Sequence, residues 1–187
     1  MATTFDLGRL DRFWKTIGGS TPPDLDGGPR TGVPSATEIR DQLALLEADW
    51  GLSAREASLL RAVAFLYNDH HDEAHDIVQD MSCSEGCLLH AILHRREPDF
   101  WNAKYWFRRC ADHPAYTRLT ERLPEIPTAS PAVQALARRL TLSGNVDPMA
   151  LVDECEAAIR RPNSEEAAFL RQVQRLEFES IARHLLA

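Results

Sequence analysis

Lysine is nearly missing from this chain. Of its 21 basic residues only Lys15 and Lys104 are lysine, and the net charge is −7. A nucleic-acid or anionic-membrane binder usually presents a basic face, so the balance argues against both partners. No stretch approaches the roughly 20 apolar residues that span a bilayer, and no apolar run follows a basic start as in a secretory signal. Cysteine is scarce as well. Cys83, Cys87, Cys110 and Cys155 form no dense disulfide framework, and Cys83/Cys87 is CxxxC, not the redox CxxC. Free thiols in a reducing cytoplasm are therefore expected. Also absent are the GxSxG elbow, the P-loop, GxGxxG and the EF-hand loop. HDEAH at 71–75 is not HExxH, because its glutamate stands one position too late to serve a zinc peptidase. No stretch alternates apolar and polar residues with period two, which excludes a half-buried strand.

What remains is helical. The chain is 44% hydrophobic and 26% charged over 187 residues, enough for one soluble domain with a real core. Residues 6–17 read as a short amphipathic helix, the body of an N-terminal arm over 1–17. Residues 18–35, half of them Gly or Pro, read as a flexible or irregular linker. Residues 36–187 read as a single all-α domain of eight or nine helices. Ser35 with Glu38 and Ser53 with Glu56 are capping boxes. Asp99, Ser130, Asp147 and Ser164 are further capping residues, two of them directly before proline. Residues 130–187 form the C-terminal helices. In the last of these Leu170, Val173, Glu177, Ile181 and Leu185 mark the packed stripe, and Gln172, Gln174 and Arg175 a solvated face.

One stretch repeats. Shifted by 29 residues, LLRAVAFLYNDHHDEAHDIVQ lies over LLHAILHRREPDFWNAKYWFR. Ala62 then meets Ala91 and Ala74 meets Ala103, so each unit carries two small residues twelve positions apart, where paired helices cross closely. This pattern resembles the tetratricopeptide repeat and its Sel1-like relatives. The likeness covers residues 58–113. It departs in its shorter period and in the missing Leu-Gly pair of the first helix. The segment HAI-HRRE-D-NAKYWFRR also resembles that of an uncharacterised family of helical proteins, which implies no function. The tetratricopeptide likeness implies paired antiparallel helices with a concave face that holds a peptide or partner protein.

Leu89–Cys110 concentrates the residues that carry chemistry. His90 and His94 share one helix face, with Cys87 and Glu97 in line, and His71 and His75 form a second such pair in the preceding unit. His90, His94 and Glu97 are thus candidate metal ligands, helped by one of the 71/75 histidines, although a buried, hydrogen-bonded histidine between helices has the same signature. Arg95, Arg96 and Arg109 beside Asn102, Tyr105 and Trp106 suit a carboxylate, phosphate or peptide terminus through forked hydrogen bonds and stacking. They would equally serve as ion pairs and helix-end cations. The expected function is a non-catalytic binding module for a peptide, partner protein or small anion, without a cofactor. The alternative is a metal-dependent or other small-molecule enzyme using His90 and His94.

Overall fold

The computed structural model describes residues 7–18, 21–110, 112–128 and 130–187. Residues 1–6 of the expected arm and 19–20 of the expected linker lie outside them. The described residues are all-helical, with ten α-helices and no strand. These are α1 (Leu7–Thr16), α2 (Ala36–Trp50), α3 (Ala54–Tyr67), α4 (His71–Val78), α5 (Ser84–Arg96), α6 (Phe100–Arg109), α7 (Pro114–Arg122), α8 (Pro131–Leu140), α9 (Pro148–Ala158) and α10 (Glu165–Leu185). None of them is long and apolar enough to cross a membrane.

Most helices start where the sequence supplies a cap, whereas α4 and α5 begin without a side-chain cap. Both capping boxes form, and Asp99, Ser130, Asp147 and Ser164 each accept a backbone N–H of the following first turn. Helix α7 escapes the usual signal because its cap is a histidine. His113 Nδ1 accepts the Ala115 N–H at 3.1 Å, ahead of Pro114. At the other end of α2, Gly51 takes a left-handed φ of 62° that a Cβ would oppose, and its N–H returns to the Glu47 carbonyl.

The 29-residue repeat is visible in backbone hydrogen bonds. His70 N–H donates to Phe65 O at 3.0 Å, and Asp99 N–H donates to His94 O at 2.9 Å. Asn68 to Ala64 matches Glu97 to Leu93, and Ala74 to His70 matches Ala103 to Asp99. The two helix–turn–helix units therefore share one turn geometry. Their small residues Ala62, Ala91, Ala74 and Ala103 are all fully buried.

Helix α5 is the centre of the domain. Every residue from Gly86 to Arg96 is buried. A helix covered on all sides has no solvated stripe, so its polar side chains must find partners inside the protein. It packs against α3, α4 and α6 and reaches α10 through Arg95.

Residues 21–35 are irregular, but they are tied down as a strap. Leu25 is buried in the core, Gln174 Nε2 donates to the carbonyls of Pro23 and Asp24 at 3.1 and 3.0 Å, and Arg30 Nε meets Asp69 at 2.6 Å. Gly27 is pressed so closely against His71 that a Cβ would stand 2.5 Å from its ring. The stretch is irregular, and its backbone is held from two sides: Gln174 of α10 donates to two of its carbonyls, and Asp69 of the α3–α4 turn accepts the Arg30 N–H. Phe13 and Ile17 are fully buried, so α1 packs into the body as well.

Candidate functional site

The inner face of α5 carries His90 and His94 one helical turn apart, and α4 presents His75 opposite them. The three imidazoles each offer a ligand atom within 4.8 Å of the other two. The His90 and His94 rings lie nearly parallel with centroids 4.8 Å apart, and His75 meets His90 edge-on at 5.0 Å. Trp106 from α6 stacks on His90 at 4.0 Å and closes that side. His94 Nε2 stands 3.1 Å from the Asn102 amide nitrogen. Its Nδ1 stands 3.4 Å from Glu97 Oε2 and 3.9 Å from Asp99 Oδ2. Both His90 Nδ1 and His94 Nδ1 are buried without a hydrogen-bond partner.

Burial favours the neutral form of His90 and His94. Burial, reinforced by His94 and His75, brings His90 down to about 4. Burial also lowers His94, against the pull of Asp99. Burial, with Asp72 and Asp99 nearby, raises Glu97 although His75 opposes the shift. Neutral imidazoles with uncommitted lone pairs are the form that ligates a metal.

Of the expected ligands, His90 and His94 come together and gain His75. Glu97 touches His94, yet it does not join the set in which every ligand atom lies within 4.8 Å of the others. His71 stands apart, against Gly27 and Arg96, beside the cleft that Glu97 also lines.

The arginines part company. Arg95 and Arg96 are fully buried and cannot receive an external anion. Arg95 points to α10, where its guanidinium holds Glu177 at 3.0 and 2.5 Å, with Gln174 at 3.4 Å. Arg96 points to the α3–α4 turn, donating to Asp69 at 2.5 Å and to the Leu66 carbonyl. Asp69 sits at a left-handed φ of 66° and is shared with Arg30. Burial alone would raise its pKa, but the two guanidinium groups prevail and lower it. Gln174, expected on a solvated face, is fully buried because it bridges Arg95 to the strap.

Arg109 remains outside, over Tyr105 at 5.7 Å and Trp106 at 5.4 Å. Trp101, 77% exposed, stacks parallel to Tyr105 at 6.3 Å. Asn102, Tyr105, Trp106 and Arg109 thus share one flank of α6, with Trp106 joining the outer aromatic face to the histidines.

A second cluster has no signature in the sequence, since its members lie on distant segments. Glu85, His113 and His184 also bring ligand atoms within 4.8 Å. Here the tautomer works against a metal. His113 Nδ1 accepts the Ala115 N–H, so its Nε2 carries the proton in the neutral ring and has no lone pair to give. Ligation through Nε2 would require abandoning the α7 cap.

Burial brings His71, His90 and His113 from 6.5 to about 4 each, assisted in turn by Arg96, by His94 and His75, and by His184. These rings are neutral in the fold, while the unfolded chain takes up protons below about 6.5. Their contribution to stability is complete above that pH and is lost as pH falls towards 4. Chelator-treated protein is expected to melt roughly 10 °C lower at pH 4.5 than at pH 7, with a smaller drop in His113→Asn. A flat Tm profile by circular dichroism over this window would contradict the assignment.

Comparison with family models, with curated proteins and with solved structures returned no significant match for this chain.

Proposed function

We propose that this all-α chain is a metal-binding helical-repeat protein in which His75, His90 and His94 hold one divalent ion of the zinc class. The convergence of three imidazoles, two with buried Nδ1 atoms that make no hydrogen bond, carries the reading. Uncompensated buried nitrogens are costly, and a metal would satisfy both together. Tetrahedral zinc places donor atoms about 3.3 Å apart, so the side chains need to close by roughly 1 Å. Asn102 supplies the outer support. With its amide turned, Oδ1 accepts the proton of His94 Nε2 and leaves the Nδ1 lone pair free for a metal. An all-nitrogen set without thiolate favours zinc, nickel, copper or ferrous iron over calcium or magnesium. The recurring turn hydrogen bonds support a tetratricopeptide- or Sel1-like pairing of helices, and unpaired thiols suit a reducing cytoplasm.

A second reading rests on the exposed Trp101–Tyr105 pair with Arg109 beside it. Such a face suits a peptide, a partner protein or a small anion, and it fits the expected binding module. The acidic total speaks against nucleic acid.

Metal content of untagged, freshly purified protein tests the first reading. One equivalent is expected in the wild type, none in His90→Ala/His94→Ala, and roughly tenfold weaker zinc binding in Asn102→Ala. Trp101→Ala/Tyr105→Ala should retain the metal while losing any captured peptide. Absence of metal, together with no calorimetric response to zinc, would reject the site.

A further inference from the structure

The metal reading leaves the ion's remaining coordination direction undefined. The surroundings of the three histidines define it. Trp106 covers the His90 face, and Asn102 occupies the Nε2 side of His94. At its His94 end the cluster is edged by carboxylates. Glu97 and Asp99 flank His94 Nδ1 at 3.4 and 3.9 Å, and both line a cleft of about 660 Å³. The far wall of that cleft is the strap segment Asp26, Gly27 and Gly28, held against His71. A cleft built by a clamped strap, and walled on its other side by the two carboxylates that stand beside His94, is a place for a ligand.

We infer that a metal held by His75, His90 and His94 keeps an exchangeable coordination position on its carboxylate side, towards this cleft, and that the position takes a small neutral nitrogen donor, such as an imidazole or amine in its free-base form, in preference to an anion. The inference rests on the proposed metal site. Three protein ligands with a fourth position open is the arrangement of reactive metal sites, whereas structural zinc is closed by four. Glu97 is not placed as a fourth ligand, because its carboxylate reaches His94 without approaching all three histidines.

Charge decides the ligand class. Asp26, Glu97 and Asp99 put three carboxylates on the cleft wall. The cations nearby are committed elsewhere. Arg96 also borders the cleft, but its buried guanidinium is bound to Asp69, and Arg30 meets the same carboxylate at 2.6 Å. The ion's two positive charges attract an anion, but the three carboxylates outnumber them, so the edge as a whole disfavours an anion and is indifferent to a neutral donor. In a partly enclosed cleft this repulsion escapes much of the screening of bulk salt.

Cobalt(II) replaces zinc and reports its coordination by visible absorption. The full-length protein is loaded with cobalt at pH 7.5 and titrated separately with imidazole and with azide. Imidazole is expected to shift the bands at millimolar concentration, and azide to need at least roughly tenfold more. Glu97→Gln/Asp99→Asn should bring azide within about threefold of imidazole and leave cobalt affinity within a few-fold of wild type. Equal response to the two ligands in the wild type would overturn the charge selection. No response to either, with cobalt affinity at least tenfold lower in Glu97→Gln, would show a closed four-ligand site and overturn the open position. Failure of cobalt to bind at all would reject the metal reading itself, a separate outcome that removes the inference with it.

Discussion

Arg95→Ala is expected to lose about 3–5 kcal/mol of folding stability, among the largest effects of any single substitution in this chain. Arg95 and Glu177 are both buried, with side-chain exposures of 0% and 1%. Burial by itself disfavours the charged guanidinium, but the Glu177 carboxylate outweighs it and keeps the arginine pKa raised. Tyr116 donates to the same carboxylate at 2.6 Å. Truncating Arg95 leaves Glu177 as a charge inside the protein, with one tyrosine hydroxyl and no cation. Taking both charges out is a different matter. Arg95→Met/Glu177→Leu removes the unpaired charge and fills similar volume, so it should recover most of the loss. The exposed pair Arg12–Asp49, at 55% and 56% side-chain exposure, provides the contrast: Arg12→Ala should cost under about 1 kcal/mol. Urea denaturation of the four proteins measures all of this. A loss below about 1 kcal/mol in Arg95→Ala would mean that Glu177 is satisfied by other means.

This buried pair also marks where the sequence is silent. Capping boxes and cap–proline pairs act within four residues, so the starts of α2, α3, α6, α8, α9 and α10 are legible directly. The 29-residue repeat is legible too, because both units must bury alanine at the same crossing. Arg95 and Arg96 are not, since two adjacent arginines at a helix end look like an anion site. Their partners lie 82 and 27 residues away, and only the packing of α5 on all sides reveals that both must be neutralised inside. What holds the strap is hidden for the same reason. Its glycines and prolines forbid regular structure, but Gln174, 150 residues distant from Asp24, fixes it. Within the site, the one-turn spacing of His90 and His94 is plain, whereas the choice of His75 over His71 depends on which face of α4 meets α5.

That choice gives the second large effect. A metal held by His75 on α4 and by His90 and His94 on α5 crosslinks the two repeat units. Helix α4 stands to gain most, because it has only eight residues and no side-chain N-cap. Zinc at roughly a thousand times its Kd should stabilise the fold by about 4 kcal/mol, since a ligand that favours the native state adds RT ln(1 + [L]/Kd). For a chain of this size that corresponds to a rise in Tm of roughly 10 °C. Hydrogen exchange should slow most in the backbone amides of α4. In His75→Ala the remaining pair lies on one helix, so zinc can still bind weakly but no longer ties α4 to α5. The α4 protection should then vanish and most of the Tm rise with it. An equal rise in His75→Ala would place the ion away from α4 and separate it from the three-histidine cluster. A rise confined to the wild type, lost again on chelation, would make the histidines of the first unit and those of the second parts of one centre.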